Sequence, residues 1–452
     1  MAQREHRDIE RVDAARIARL WWPLAASWLL MGAELPLVSA AIARMPSPEL
    51  NLAAYGSLVF PLALAIEAPI IMLLAASTAL CVDWPSYVKV RRFMVVASAL
   101  LTALHIAIAF TPAFDAIARE WIGAPPETIE AGRIGFRILT PWTWSIAYRR
   151  FQQGVLIRCE RSRWIGVGTL VRLAANALVL GIGFAHGGAS GIVVGASAVA
   201  AGVVGEAAFI GICVQRVLRE RIRSAPPAAQ VLTRASFLTF YAPLALTPLV
   251  TLIAQPIGAA AMARMSDPLA SLATWPAFHG LVFLTRSFGL AFNEVVVALI
   301  AAPGGIRALR DFATKLALAT ASLLALVALT PLAELWFRGW SHLDVQLAEL
   351  GALALHFAVV LPALNAAQSY FQGALVHTRR TRAVTESTVV SLATTCIGLA
   401  VCVQQTRWPG LVCTAAMMSL GNLFQTIWLY GRARGVLAAL ARDDAARAAK
   451  AP

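Results

Sequence analysis

The sequence predicts an all-α membrane protein of twelve transmembrane helices in two pseudo-symmetric six-helix lobes. Three observations predict it: an apolar composition, apolar runs of span length along nearly the whole chain, and a repeat offset by about half the length. Hydrophobic residues make up 59% of the 452, charged residues 14%, and the mean hydropathy is +0.69. That balance excludes a soluble globular domain.

A hydrocarbon core about 30 Å thick takes roughly 20 apolar residues in a helix. Runs of that length predict spans at 20–42, 52–80, 93–114, 134–157, 164–185, 189–214, 236–262, 271–300, 316–336, 347–373, 383–404 and 409–430. A closed β-barrel would alternate apolar and polar residues in short segments, and stretches such as 192–212 do not.

Of the 38 Lys and Arg, 27 fall in 4–19, 89–92, 158–163, 216–234, 307–315, 379–382 and 432–450, whereas the alternate loops hold six: Arg44, Arg119, Arg133, Arg264, Arg338 and Arg407. Basic residues resist translocation, so both termini are expected in the cytoplasm. The net charge of +14 therefore reports topology, and no nucleic-acid partner is expected. The first 19 residues are too charged for a cleavable signal. Six cysteines sit in spans or near the cytoplasmic side and read as packing residues. Abundant Ala and Arg hint at a GC-rich bacterial genome, hence a multi-pass protein of the inner (plasma) membrane.

Shifted by 220 residues, Trp22-Pro23-Leu24-Ala25 meets Ala242-Pro243-Leu244-Ala245, Pro36 meets Pro256, Ala43-Arg44-Met45 meets Ala263-Arg264-Met265, and Pro48 meets Pro268. At a shift of 219, Phe151-Gln152-Gln153-Gly154 resembles Tyr370-Phe371-Gln372-Gly373. Two halves of six spans enter the membrane in the same orientation, so their axis runs along the membrane normal. The expected division is a cytoplasmic N-terminus 1–19, an N-lobe 20–215, a linker 216–234 containing Pro226-Pro227, a C-lobe 235–431 and a cytoplasmic tail 432–452.

These features resemble the multidrug/oligosaccharidyl-lipid/polysaccharide (MOP) flippase superfamily, with two six-helix lobes around a cleft. Within it, Leu52-Ala53-Ala54-Tyr55-Gly56, Gly32-Ala33-Glu34, Pro243-Leu244-Ala245-Leu246 and Gln255-Pro256-Ile257 are similar to the progressive ankylosis (ANK) transporter family. Similarity to the multidrug and toxic compound extrusion (MATE) branch rests on the fold and the Gln-Gly segment. The resemblance implies alternating access by rocking lobes, with efflux of a small organic or phosphate-bearing anion. Fold alone does not fix substrate.

Charges inside spans are functional candidates, because each costs at least about 2.5–3.5 kcal/mol at the bilayer centre. The candidate substrate and coupling residues are Glu34, Glu67, Arg137, Arg149, Arg150, Arg172 and Arg286, with Glu206 and Glu294 behind them. Glu67 and Arg286 lie at nearly equivalent depths on related helices, which predicts a pair across the cleft; the bland alternative is two separately satisfied residues. Arg137, Arg149, Arg150 and Arg172 form a basic set suited to carboxylates or phosphates. The alternative there is snorkelling, outward for Arg137 and inward for Arg149 or Arg150. Glu34, two residues before Pro36, suits a proton or cation site. His105, His279 and His356 read as satisfied interior histidines, and Asn176, Gln255, Asn293, Asn365 and Asn422 as interhelical hydrogen-bond partners.

No phosphate loop, zinc-ligand spacing or nucleophile motif occurs, so neither an enzyme nor a cofactor is expected, and any coupling would use H+ or Na+. The expected partners are the bilayer and a small-molecule or lipid-linked substrate, with the chain a monomer. Three functions follow: an ANK- or MATE-like exporter of an anionic solute, a flippase for an isoprenoid-linked saccharide or other anionic lipid, and a scaffold that does not transport and would tolerate neutralisation of Glu34 and Glu67.

Overall fold

A computed structural model describes residues 12–227, 231–405 and 407–450. Arg4, Arg7 and Arg11 of the expected N-terminal segment lie outside the described residues, as do 228–230 of the expected linker and 451–452 of the tail. The described residues are helical, with one isolated bridge between Ser266 and Pro409 and no strand.

The first half comprises α1 (Ala14–Gly32), α2 (Glu34–Ile42), α3 (Pro48–Leu80), α4 (Trp84–Phe110), α5 (Pro126–Ile138), α6 (Thr140–Arg158), α7 (Arg163–His186) and α8 (Gly191–Val217). The second comprises α9 (Arg234–Leu252), α10 (Ala254–Met262), α11 (Pro268–Leu299), α12 (Gly305–Leu329), α13 (Val345–Ala358), α14 (Leu361–His377), α15 (Arg382–Gln405) and α16 (Gly410–Lys450). Starts follow local rules. Asp13 caps α1 by accepting from the Arg16 N–H at 2.7 Å, Asp83 caps α4 through the Ser86 N–H at 2.9 Å, and Thr233 and Ser236 form a capping box on α9.

Among the described residues, eleven helices are long and apolar enough to cross a membrane. The expected span at 134–157 is not among them: α5 and α6 carry Arg137, Arg149, Gln152 and Gln153, and the last three are buried. Its counterpart Val345–His377 does qualify, so the missing twelfth is a span whose polarity points into the protein. Apolar side chains instead face outward, with Leu100, Ile212, Leu318 and Ile397 each at least 65% exposed, as lipid as solvent requires.

The repeat is written in the backbone. Ser47 and Asp267 both adopt the left-handed conformation, with φ of 53° and 51°. Gly123 and His342 match at 72° and 56°, and Glu160 and Arg379 at 59° each. Left-handed residues other than Gly are uncommon, so their recurrence at the sequence offset marks duplicated loops. The π turns Ile117–Ile122 and Leu335–Trp340 recur likewise.

Pro36 and Pro256 explain a further pair of features. Each lacks the N–H that would bond back four residues, and the helix breaks just there, at Ala33 between α1 and α2 and at Ile253 between α9 and α10. The segments before the breaks cross over to the opposite half. α1 packs on α11, with Trp21 Nε1 donating to the Phe288 carbonyl at 2.9 Å, and Ile17 enters the core of the second half. Conversely, Phe237 and Tyr241 of α9 lie on Phe93 of α4, with ring centroids 4.6 and 4.9 Å away, and the Tyr241 hydroxyl donates to the Pro69 carbonyl at 2.6 Å.

The repeated Gln-Gly segment is a helix-crossing device. A Cβ on Gly154 would collide with Ser77 Oγ and the Leu74 carbonyl on α3, and one on Gly373 with Val296 and the Asn293 carbonyl on α11. Gly154→Ala should therefore destabilise by about 1–3 kcal/mol, the usual cost of overpacking. Gly181→Ala, whose added methyl meets nothing within 4 Å, should melt like the parent. Thermal unfolding in detergent compares the two, and equal melting temperatures would refute the crossing role.

Candidate functional site

Buried charge in the first half collects into one network. Arg172 and Asn176 lie four residues apart on α7, and Arg149 and Gln153 four apart on α6, so each pair shares a helix face. Glu34, the first residue of α2, is gripped by Arg172 through both oxygens, with Nε donating to Oε1 at 2.8 Å, and Asn176 Nδ2 donates to the same Oε1 at 2.7 Å. Glu206 on α8 accepts from Arg149 Nη1 at 2.8 Å and Gln153 Nε2 at 3.0 Å, and Arg172 Nη1 stands 3.8 Å from it. Glu67 on α3 accepts from Trp142 Nε1 of α6.

Three carboxylates are thus set among three guanidinium groups, Arg149, Arg150 and Arg172. Glu206 is 0% exposed, Arg149 and Glu67 4%, Glu34 7%. A cluster so buried is tolerable only because charges balance and hydrogen bonds saturate most oxygens. Saturation is not complete: Arg149 Nε, Arg150 Nε, Gln152 Oε1 and Asn176 Oδ1 are buried without a hydrogen bond.

Two expectations are corrected. Glu67 and Arg286 form no pair; each bonds within its own half, Glu67 to Trp142 and Arg286 to Asn422. Equal depth on related helices says nothing about which way each side chain faces. Arg137 does not join the basic set either. Its Nε donates to the Ala109 carbonyl at 2.9 Å and its guanidinium lies 5.1 Å from the Phe110 ring centroid, at the end of α4, where it caps carbonyls and stacks on an aromatic face. Arg149 does not snorkel, being ion-paired and buried.

The second half is built differently. A cavity of about 530 Å³ lies among α1, α9, α10, α11, α14, α15 and α16. Its polar lining is mainly neutral, including Gln255, Asn365, Gln368 and Asn422, with Trp28 and Trp275 as apolar walls. Arg286 carries its deep positive charge. Nη2 donates to Asn422 Oδ1 at 3.4 Å, Nε is buried without a partner, and among the described residues no carboxylate pairs with it. Glu294 also lines the cavity, eight residues on and hence about 12 Å along the helix, toward the termini. Asn365 Oδ1 is a second orphan. Asn422 is held by its own Nδ2 donating to the Met418 carbonyl at 2.8 Å, and Gln368 Nε2 donates to the Asn422 carbonyl at 3.0 Å.

The histidines divide. His105 is a satisfied core residue, 3.1 Å from Thr143 Oγ1 and 3.0 Å from the Phe136 carbonyl. His279 lines the cavity near Gln255 at 3.4 Å, and His356 contacts its own helix carbonyl at Ala352. Sequence reasoning missed Trp142 and Gln153 as carboxylate partners; the Arg-x-x-x-Gln and Arg-x-x-x-Asn spacings were the available signal.

At the level of sequence no family model and no curated protein matches. Solved structures do. The fold is similar to the inward-facing conformation of a multidrug resistance MATE family transporter of the MOP superfamily, at 17% identity over 90% of this chain and 95% of that one, with a TM-score of 0.75. An outward-facing conformation described in the same words gives a TM-score of 0.61 at 18% identity, over 96% and 98%. A MOP superfamily transporter from Pyrococcus furiosus, described as having a binding pocket of reverse polarity suggesting a different function, gives 0.66 at 18% identity, over 96% and 98%. At these identities the likeness is one of fold: the chain is folded as these transporters are.

Removing one member of a buried ion pair costs about 3–5 kcal/mol, because the survivor is stranded. Glu206→Ala should lower stability by that amount, and Glu206→Gln by less, since its amide oxygen still accepts from Arg149 or Gln153. Chemical or thermal melts in detergent measure this, and an unchanged midpoint for Glu206→Ala would show that the network does not support the first half.

Proposed function

We propose that this chain is a secondary active transporter, an ANK- or MATE-like exporter that moves a small organic or phosphate-bearing anion by alternating access. The observation that carries the reading is Arg286: a guanidinium with a buried, unpartnered Nε in a cavity large enough for a small solute. Such a group is costly to keep without a counter-charge, and an anionic substrate would supply one. Surrounding amides and the orphan Asn365 Oδ1 offer donors and acceptors for the rest of the solute. A transporter of this fold has a binding pocket of reverse polarity, so pocket polarity is not fixed by the fold. The likeness to an inward-facing neighbour supports a conformation open toward the termini, and the 27-to-six bias of basic residues supports a cytoplasmic location for that side.

Coupling is assigned to Glu34. Its carboxylate stands at the break between α1 and α2 and ties α2 to α7 through Arg172 and Asn176. A proton or Na+ that neutralises Glu34 frees Arg172 to move toward Glu206, already 3.8 Å away, and loosens that tie. The rocking units then pivot at Ala33 and Ile253, and the arm 14–32 travels with the second half.

A second reading, a flippase for an anionic or isoprenoid-linked lipid, is favoured by one observation. The span Arg234–Met262 is largely exposed, yet Val250, Thr251 and Gln255 from it wall the cavity. Lipid therefore reaches the outer face of a cavity wall.

In proteoliposomes, Arg286→Ala should reduce transport of the accepted anion roughly ten- to hundredfold, the worth of a hydrogen bond to a charged group, with Arg286→Lys intermediate. The substrate panel is labelled organic acids and phosphate-bearing anions in one arm and a fluorescent polyprenyl phosphate in the other. Transport unaffected by Arg286→Ala in both arms removes the anion site. Glu34→Gln should abolish dependence on an imposed H+ or Na+ gradient while substrate exchange persists; retained gradient dependence would move coupling elsewhere.

A further inference from the structure

Arg44 and Arg264 occupy equivalent positions at the ends of α2 and α10, and both reach across to the other half. Arg264 Nη1 donates to the Ile122 carbonyl at 2.6 Å, and Nη2 to those of Trp121 at 2.8 Å and Glu120 at 3.1 Å. These carbonyls end the π turn Ile117–Ile122, where the last C=O groups of a helix have no partner within it. Gly123, at φ 72°, lets the chain leave the turn against the guanidinium; a Cβ there would come within 3.3 Å of Arg264 Cζ. The arrangement returns in the other direction. Arg44 Nη2 donates to the Gly339 carbonyl at 3.3 Å, within the second π turn Leu335–Trp340. Each arginine is also braced by its own helix, Arg44 on the Ala40 carbonyl at 2.6 Å and Arg264 on that of Ala260 at 2.8 Å.

We propose that Arg264 and Arg44 form a two-part latch that holds shut the face of the molecule opposite the termini, with Arg264 the principal bolt. The inference rests on the alternating-access reading, because a latch has work to do only if that face opens. Three features carry it. All four cross-half bonds are charge-assisted. They lie at the negative ends of helical turns, where a cation is favoured. And they span the boundary that must separate for the cavity to face the other side. The two bolts are unequal: Arg264 has three acceptors in the opposite half and Arg44 one. Opening therefore begins on the Arg44 side, with Arg264 releasing last. Close packing beneath completes the closure: a Cβ on Gly56 would meet Pro276, and one on Gly280 would meet Pro36.

The test needs no substrate, so it separates failure of the latch from failure of the transport reading. Spin labels at Glu127→Cys on α5 and Gln346→Cys on α13, both exposed and related by the repeat, in a background with the native cysteines replaced, report the distance between halves on this face. The parent should show one short population. Arg264→Ala should raise a longer population about tenfold relative to the parent, in the range of ordinary coupling between two states. Arg264→Ala with Arg44→Ala should raise it further, and Arg264→Lys should fall between. Arg338→Ala, which removes a charge of the same face paired within its own helix to Glu334, should leave the distribution unchanged. Should Arg264→Ala fail to fold, Arg264→Gln gives the same readout with one donor group retained. Distances identical to the parent in Arg264→Ala (or Arg264→Gln) and in the double variant would overturn the proposal. So would an equal opening in Arg338→Ala, which would make the effect one of surface charge.

Discussion

The grip of Arg172 on Glu34 is the interaction on which the rest turns. It joins the first residue after a helix break to a helix five elements further along the chain, inside a medium that would not tolerate either charge alone. Because Arg172 also stands near Glu206, and Glu206 holds Arg149, a single buried chain of alternating sign connects α2, α7, α8 and α6. Neutrality of the set is what lets an otherwise lipid-embedded half contain it. The residue that opens α2 after the break at Ala33 is thereby also a member of the charge network.

The two halves have spent their shared ancestry differently. The first has filled its interior with paired charges; the second keeps a cavity lined mainly by neutral amides, with a guanidinium that no carboxylate among the described residues pairs. In a symmetric pair of bundles, binding and coupling would compete for the same ground. Under the proposed function each has its own, and the helix α1, rooted in one half and packed on the other, places Trp28 in the cavity about one and a half turns before the break at Ala33. A change at the carboxylate is thus mechanically adjacent to the cavity wall.

How much could be read beforehand follows from where each signal resides. The spans, the duplication and the kinking position at Pro36 are local in sequence, carried by residues whose backbone chemistry leaves few options; the second break and the role of the Gln-Gly segments as crossings came with the structure. Glu34, Arg149, Arg150, Arg172 and Arg286 stood out because charge is rare in hydrocarbon. Their partners did not. Trp142 lies 75 residues from Glu67 and Asn176 142 from Glu34, and nothing in an apolar helix announces which rotation brings such groups together. The same blindness to rotation produced the mistaken Glu67–Arg286 pair, and the stacking of Arg137 on Phe110 depended on where α4 happens to end. The span containing α6 was legible in spite of its polarity, which leaves it out of the helices apolar enough to cross a membrane because its hydrophilic face is buried.

The exchanged arms carry a consequence for how the molecule can move at all. With residues 14–32 seated in the far bundle and Phe237 and Tyr241 seated in the near one, the halves are woven together like clasped hands. Pure separation would strip both arms from their seats at once, so the alternating access proposed above would have to proceed as a scissoring about two elbows, with any tilt of one bundle felt as bending in the other.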